Sequence, residues 1–277
     1  MRVGVMMPVG EDPANGGLPA SYDEIRQLAL TAEVSGLDSV WTADHLFYEP
    51  TDGPTRGMWE SWTLLSALAE ATERVEIGNL VLAVPFRNPG LLAQMANTLD
   101  EVSGRRLVLG LGSGWHEPEF RAFGFEFEHR VSVFEDSLAV LLPLLRGGRV
   151  EHTGRFAEGH SELRPVARRP GGPPVLIASK GPRMQRLTAR HADRWNTCWF
   201  GRPMEPFFER RQGLHEACRA VDRDPSEIEV TVGIVVADES ELDEGADRSR
   251  VLLAEPRLIA EGLHEWHEQG VAEVMCT

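Results

Sequence analysis

The chain has 277 residues, 42% of them hydrophobic, and a formal net charge of −15. That length can bury a large core, while the acidity argues against nucleic acid as a partner, because phosphate binding draws on clustered cations. No run of 18 apolar residues is present to span a bilayer, no charged-then-apolar leader opens the chain, and three widely spaced cysteines (Cys198, Cys218, Cys276) fit neither a disulfide framework nor a zinc site; a cytoplasmic protein without a membrane partner is expected.

In chain order, strand-like runs alternate with helical patterns. "RVGVMM" (2–7) leads to a helix over 21–36, where Ser21 and Glu24 form a capping box and Ile25, Leu28, Ala29 and Ala32 share one face. "LDSVWTA" precedes a helix over 59–73. "VEIGNLVLAV" precedes one over 88–104, with Pro89 suited to its first turn. "RRLVLGLGSG" follows, then a helix around 130–146 and a hairpin in "VEHTGRFAE". Next come "PPVLIAS" with helix 181–191, "DRWNTCW" with helix 204–221, "IEVTVGIVVAD" with helix 255–269, and "VAEVMC".

Eight strands, seven of them followed by helix, predict an α/β fold: a single (β/α)8 TIM barrel over residues 1–277, with insertions after strands 4 and 7 and no clear eighth helix. An open doubly wound sheet is the competing arrangement. The acidic, aperiodic segment 238–254 is expected to cap the barrel mouth.

In such a barrel, chemistry belongs at the C-terminal strand ends. "VLGLGSGW" there is not a dinucleotide fingerprint: the glycines run G-x-G-x-G, and Trp115 stands where the third glycine of G-x-G-x-x-G belongs. Either the glycines let the chain pass close to a bound ring or phosphate, or they form a plain strand-exit turn. His45, after strand 2, is the acid/base candidate, with Asp44 beside it to orient the imidazole. "SKGPR" after strand 5 is a glycine turn leading into a helix, a place for an anion. It holds Lys180, a single lysine among 28 basic side chains. Ser179 as helix N-cap with Pro182 in the first turn explains the same letters. His264 and His267 lack the register of a zinc helix, and no metal site is expected. The tryptophans near strand ends (Trp41, Trp59, Trp62, Trp115, Trp195, Trp199) suggest a largely apolar substrate cleft, with Trp115 and Trp199 lining the substrate pocket.

"SVWTADH", the long stretch from "VEIGNLVLAVPFRNPG" to "FEHRVSVFED", and "PPVLIASKGPRMQRLTARHADRWN" resemble the bacterial luciferase-like monooxygenase superfamily, and within it the oxidoreductases that use the deazaflavin coenzyme F-420. The resemblance implies a (β/α)8 barrel with the cofactor ring in its mouth, in a homodimer or higher homo-oligomer acting on a small molecule. It implies that Asp44 and His45 meet the ring and supply a proton. Leu80–Val81 becomes a non-proline cis peptide behind the ring, Ala83, Ser113 and Gly114 contact the cofactor, and Lys180, Gly181, Arg183 and Met184 grip its phosphate. Trp115 replaces a catalytic glutamate of the branch's sugar-phosphate dehydrogenases, Pro118 replaces a cofactor-contacting asparagine, and the basic residues those enzymes use for a substrate phosphate have no clear counterparts here, which counts against a sugar phosphate substrate. The alternatives are an FMN-dependent monooxygenase, a Schiff-base lyase using Lys180, and a non-catalytic partner subunit that retains the pocket.

Overall fold

Aliphatic and β-branched runs too short to span more than a few residues pair side by side, all parallel, until the last meets the first. The computed structural model describes residues 1–277 except 13–14, 51–52 and 243–246. The barrel strands are β1 Arg2–Met6, β2 Ser39–Thr42, β3 Glu76–Asn79, β4 Leu107–Gly112, β5 Val175–Ala178, β6 Arg194–Phe200, β7 Glu229–Ala237 and β8 Glu273–Cys276. Each pairs in parallel with its successor, and β8 pairs with β1 through Arg2↔Glu273 and Gly4↔Met275, so the sheet closes and the open-sheet alternative is set aside.

The helices α1 Tyr22–Val34, α2 Ser61–Ala71, α3 Pro89–Val102, α4 Glu117–Phe123, α5 Arg130–Gly147, α6 Pro182–His191, α7 Glu205–Arg219 and α8 Pro256–Glu268 follow the first seven strands, with α4 and α5 both after β4. Local chemistry sets their starts. Ser21 and Glu24 close the capping box on α1. The Glu60 carboxylate accepts from Trp62 and Thr63 backbone N–H groups, so α2 begins two residues later than its apolar pattern suggests. Leu28, expected on the buried face of α1, is exposed, while Ile25, Ala29 and Ala32 are buried. The hairpin after α5 pairs Arg149–Thr153 with Glu158–Glu162. Of the segment expected to cap the mouth, 243–246 lie outside the described residues; its end, Val251–Leu253, extends the sheet by pairing with Val235–Ala237 of β7. Among the described residues no helix is long and apolar enough to cross a membrane.

The barrel interior is filled in layers. At the N-terminal end Arg194 binds Glu76 at 2.7 and 2.9 Å and lies 3.3 Å from the fully buried Glu273, which accepts from Ser39 Oγ at 2.5 Å. Burial pushes the Glu273 carboxyl above its usual range, against the Ser39 hydrogen bond and the Arg194 charge. Above it Trp41 donates its indole N–H to Ser39 Oγ at 2.7 Å, and its ring lies where side chains at Gly4 and Gly78 would be. Trp41, Leu80, Val108, Leu176 and Met275 then form an inner apolar cluster, with Met6, Val81 and Trp199 packed on its upper side.

The glycines of β4 belong to this packing. A Cβ at Gly110 would collide with the Asn79 carbonyl oxygen, and one at Gly112 would stand 2.7 Å from a Val81 methyl. Gly110→Ala is therefore expected to lower the free energy of unfolding by about 1–3 kcal/mol. Gly147→Ala, at a helical site with open space around it, should leave it unchanged or slightly raised. Denaturant melts of the two variants compare them directly; equal midpoints would contradict the packing role of Gly110.

Candidate active site

The C-terminal ends of the strands carry the rim. His45 stands three residues past β2, half-exposed, with ring centroids 5.6 Å from Trp115, 6.2 Å from Tyr48 and 6.0 Å from His116. Trp115 is 62% exposed, a large indole face turned to solvent beside the imidazole. His116 is buried, and its Nε2 accepts the Glu49 backbone N–H at 3.0 Å, which ties the β2 and β4 loops together.

Asp44 does not orient His45. His45 Nδ1 instead lies 2.8 Å from Glu119 Oε1, while Oε2 of the same carboxylate accepts the Leu46 N–H at 2.5 Å. Glu119 is only 2% exposed and sits in the first turn of α4. The pair fixes the imidazole: Nδ1–H donates to the carboxylate, and Nε2 is left without a protein partner among the described residues. Sequence reading missed α4 and, with it, Glu119. The signal was present, since Pro118 opens the first turn and Gly124, at φ 74°, ends the helix.

Asp44 has another role. Its carboxylate takes a two-pronged ion pair from Arg87 at 2.6 and 2.8 Å, Ser61 Oγ at 2.6 Å and the Ala83 N–H at 2.8 Å. It is buried under the rim and pins the loop after β3 to the start of α2. Burial alone would lower the Arg87 pKa, but the Asp44 hydrogen bonds and charge raise it on balance. Asp44, Arg87, Ser61 and the Ala83 N–H thus form a clamp between loops.

Leu80–Val81 is a cis peptide, and Cys198–Trp199 is a second non-proline one. β3 ends there, and the chain resumes at Leu82–Ala83, which pairs with Leu111–Gly112 of β4. Leu80, Val81 and Trp199 share the upper surface of the inner cluster, so they form one apolar floor. Lys180 is exposed at the neighbouring rim, close enough for its charge to act on the Cys198 thiol, which burial nevertheless pushes upward. Such exposure removes the apolar surroundings that a Schiff-base lysine would need.

The segment after Lys180 is partly as expected. Gly181, not Ser179, is the N-cap of α6, and no side chain caps that end. The N–H groups of Arg183 and Met184 therefore remain available beside Lys180. The Arg183 guanidinium is taken up by Glu135 at 2.6 Å and Ser132 at 3.1 Å, and the Met184 side chain is buried in the outer core. Ser113 is half-buried at the rim. Gly114, at φ 75°, leaves room for the Phe120 ring, as Gly112 does for Val81 and Gly110 for the Asn79 carbonyl. Trp62 and Trp195 are core side chains outside the barrel, Trp41 fills its interior, and the exposed Trp59 gives its indole N–H to the Ala20 carbonyl; of the six tryptophans considered, Trp115 and Trp199 remain at the mouth. A shallow cleft of about 650 Å³ lined by Arg146, Pro170, Asp193 and Glu227 opens at the opposite, N-terminal face and includes none of these residues.

Residues 1–244 match the model of the luciferase-like monooxygenase family. An F-420-dependent glucose-6-phosphate dehydrogenase of Rhodococcus erythropolis is 31% identical over 235 residues, covering 82% of this chain and 68% of that protein. Among solved structures, the coenzyme F-420-dependent tetrahydromethanopterin reductase of Methanopyrus kandleri superposes with a TM-score of 0.81 at 17% identity, covering 99% of this chain and 92% of that one. An F-420-dependent secondary alcohol dehydrogenase in complex with an F-420–acetone adduct gives the same TM-score, identity and coverage. The chain belongs to the luciferase-like monooxygenase family.

Glu119→Gln tests the fixed imidazole. The Leu46 N–H can only donate, so it holds the amide oxygen of the glutamine and turns the amide NH2 toward His45 Nδ1. The neutral ring must then carry its proton on Nε2. Nitrogen-15 NMR of the imidazole should show Nδ1–H in the unaltered protein and Nε2–H in the variant; an unchanged tautomer would mean that Glu119 does not set it.

Proposed function

We propose that this luciferase-like monooxygenase family member is an oxidoreductase that transfers hydride between the deazaflavin coenzyme F-420 and a small, largely apolar organic substrate. The observation that carries the reading is convergence. His45, the Leu80–Val81–Trp199 floor and the open start of α6 with Lys180 come from four different strand ends and share one face of one closed barrel. The F-420-dependent relatives and the F-420-dependent enzymes of the same fold support it.

The residues fit the coenzyme. Lys180 and the uncapped N–H groups of Arg183 and Met184 are donors for a phosphate. The apolar floor of Leu80, Val81 and Trp199 suits a flat ring. When bound, F-420 supplies the carbon that gives or takes hydride. His45 handles the accompanying proton: with Nδ1–H held by Glu119, Nε2 can accept the proton of a substrate hydroxyl or, once protonated, return it to a carbonyl oxygen. Glu119, fully buried, balances the imidazolium that forms. The aromatic rim of His45, Tyr48 and Trp115 excludes water and packs an apolar substrate. Trp115 at the glutamate position weighs against sugar phosphates. A homo-oligomer, as the resemblance implies, in the cytoplasm completes the reading.

Purified protein is expected to bind F-420 tightly and FMN not at all. Binding of FMN alone would move the protein to the monooxygenase side, and binding of neither would overturn the redox assignment. His45→Ala should leave F-420 affinity nearly intact and lower turnover by roughly 10²–10⁴-fold. Lys180→Gln should weaken F-420 binding by about tenfold, read by fluorescence titration, with an unchanged denaturation midpoint.

A further inference from the structure

Arg56 stands apart from the other groups of the rim. It lies in the short hairpin of the β2–α2 connection, where Phe47–Tyr48 pairs antiparallel with Arg56–Gly57. Tyr48 and Arg56 are directly opposite in that ladder, so their side chains leave the same face with Cβ atoms about 5 Å apart. The Tyr48 ring on that face packs beside His45, Trp115 and His116. Arg56 thus extends alongside the aromatic wall that flanks the acid/base imidazole.

Its guanidinium is unpaired. Arg56 Nε is buried with no hydrogen-bond partner, and no acid among the described residues makes an ion pair with it. The neighbouring Glu11 does not answer this need: its carboxylate accepts the Gly57 N–H at 2.7 Å. Arg106, also half-buried, shows the contrast: it makes four side-chain hydrogen bonds, to Thr72, Val75 and Ala69. Of the three buried side-chain atoms without a hydrogen bond among the described residues, Asp100 Oδ1 and Asn196 Oδ1 are acceptors and Arg56 Nε is the one donor, and a guanidinium so placed calls for an acceptor from outside the chain.

We infer that Arg56 is a substrate-binding cation, and that the substrate carries a carboxylate on an aromatic or otherwise flat apolar body. The planar fork of a guanidinium matches a carboxylate two-pronged. The hairpin brings only one cation, which balances one negative charge; the stretch 46–60 contains no lysine and no second arginine. A phosphate dianion would be left half-neutralised. The exposed Trp115 and the Tyr48 ring receive the flat body. As a statement about substrate the inference rests on the proposed oxidoreductase function, but the binding it asserts does not involve the coenzyme.

Calorimetric titration of the coenzyme-free protein with 2-naphthoate and its neutral isostere 2-naphthamide tests this. Naphthoate should bind at least about tenfold more tightly than the amide. Arg56→Gln should abolish that preference, with an unchanged denaturation midpoint, and Arg56→Lys should retain part of it. Equal binding of acid and amide, no binding of naphthoate, or a preference that survives in Arg56→Gln would overturn the inference. The acid–amide comparison on the unaltered chain stands even if a variant fails to fold. Because no coenzyme is present, a protein that binds F-420 but shows no preference loses only this inference, and one that shows the preference but binds no F-420 loses only the proposed function.

Discussion

A closed parallel barrel cannot stand with an empty middle, and filling it is the constraint on which the rest of this structure depends. Trp41 occupies the centre, anchored by its indole N–H on Ser39 and admitted by the missing side chains of Gly4 and Gly78. Below it, the Arg194–Glu76–Glu273 network closes the N-terminal end with charges that satisfy one another. Above it, Val81 fits against Gly110 and Gly112. Dense packing of this kind transmits position. Because the strands are held at fixed spacing, loops more than a hundred residues apart in the chain meet on one face.

Two carboxylates at the rim divide the work of holding that face together. Asp44 is buried under the rim, where Arg87, Ser61 and the Ala83 N–H saturate it, and it fixes the loop after β3. Glu119 faces the β2 loop and holds both the His45 ring and the Leu46 backbone. The Asp44 carboxylate is taken up by its own partners, and among the described residues no hydrogen bond joins it to His45. The partner of His45 has to arrive from another element, and α4 delivers it.

Much was legible in the residues themselves. The alternation of apolar runs with helical periodicity announced the barrel, Ser21 and Glu24 announced the start of α1, and Lys180 marked an open helix end. The harder features were those where one letter serves two purposes. The β4 glycines look like a ligand loop because both a ligand and a neighbouring group ask for an absent Cβ; in the fold Gly110 makes room for the Asn79 carbonyl and Gly112 for Val81. The tryptophans look alike in a sequence, yet Trp195 lies in the outer core, Trp41 inside the barrel and Trp115 in solvent.

The sequence by itself therefore determined the order and type of the elements, the closure they imply and the strand ends that carry chemistry, because hydrophobic periodicity, caps and turn residues act within a few positions of one another. Only the tertiary structure decided which carboxylate meets His45, which space each glycine clears and which arginine buries a donor without a partner. Those outcomes depend on contacts between residues such as His45 and Glu119, 74 positions apart, and on competition among many possible acceptors for each donor. No local pattern encodes them; packing in three dimensions selects the pairs.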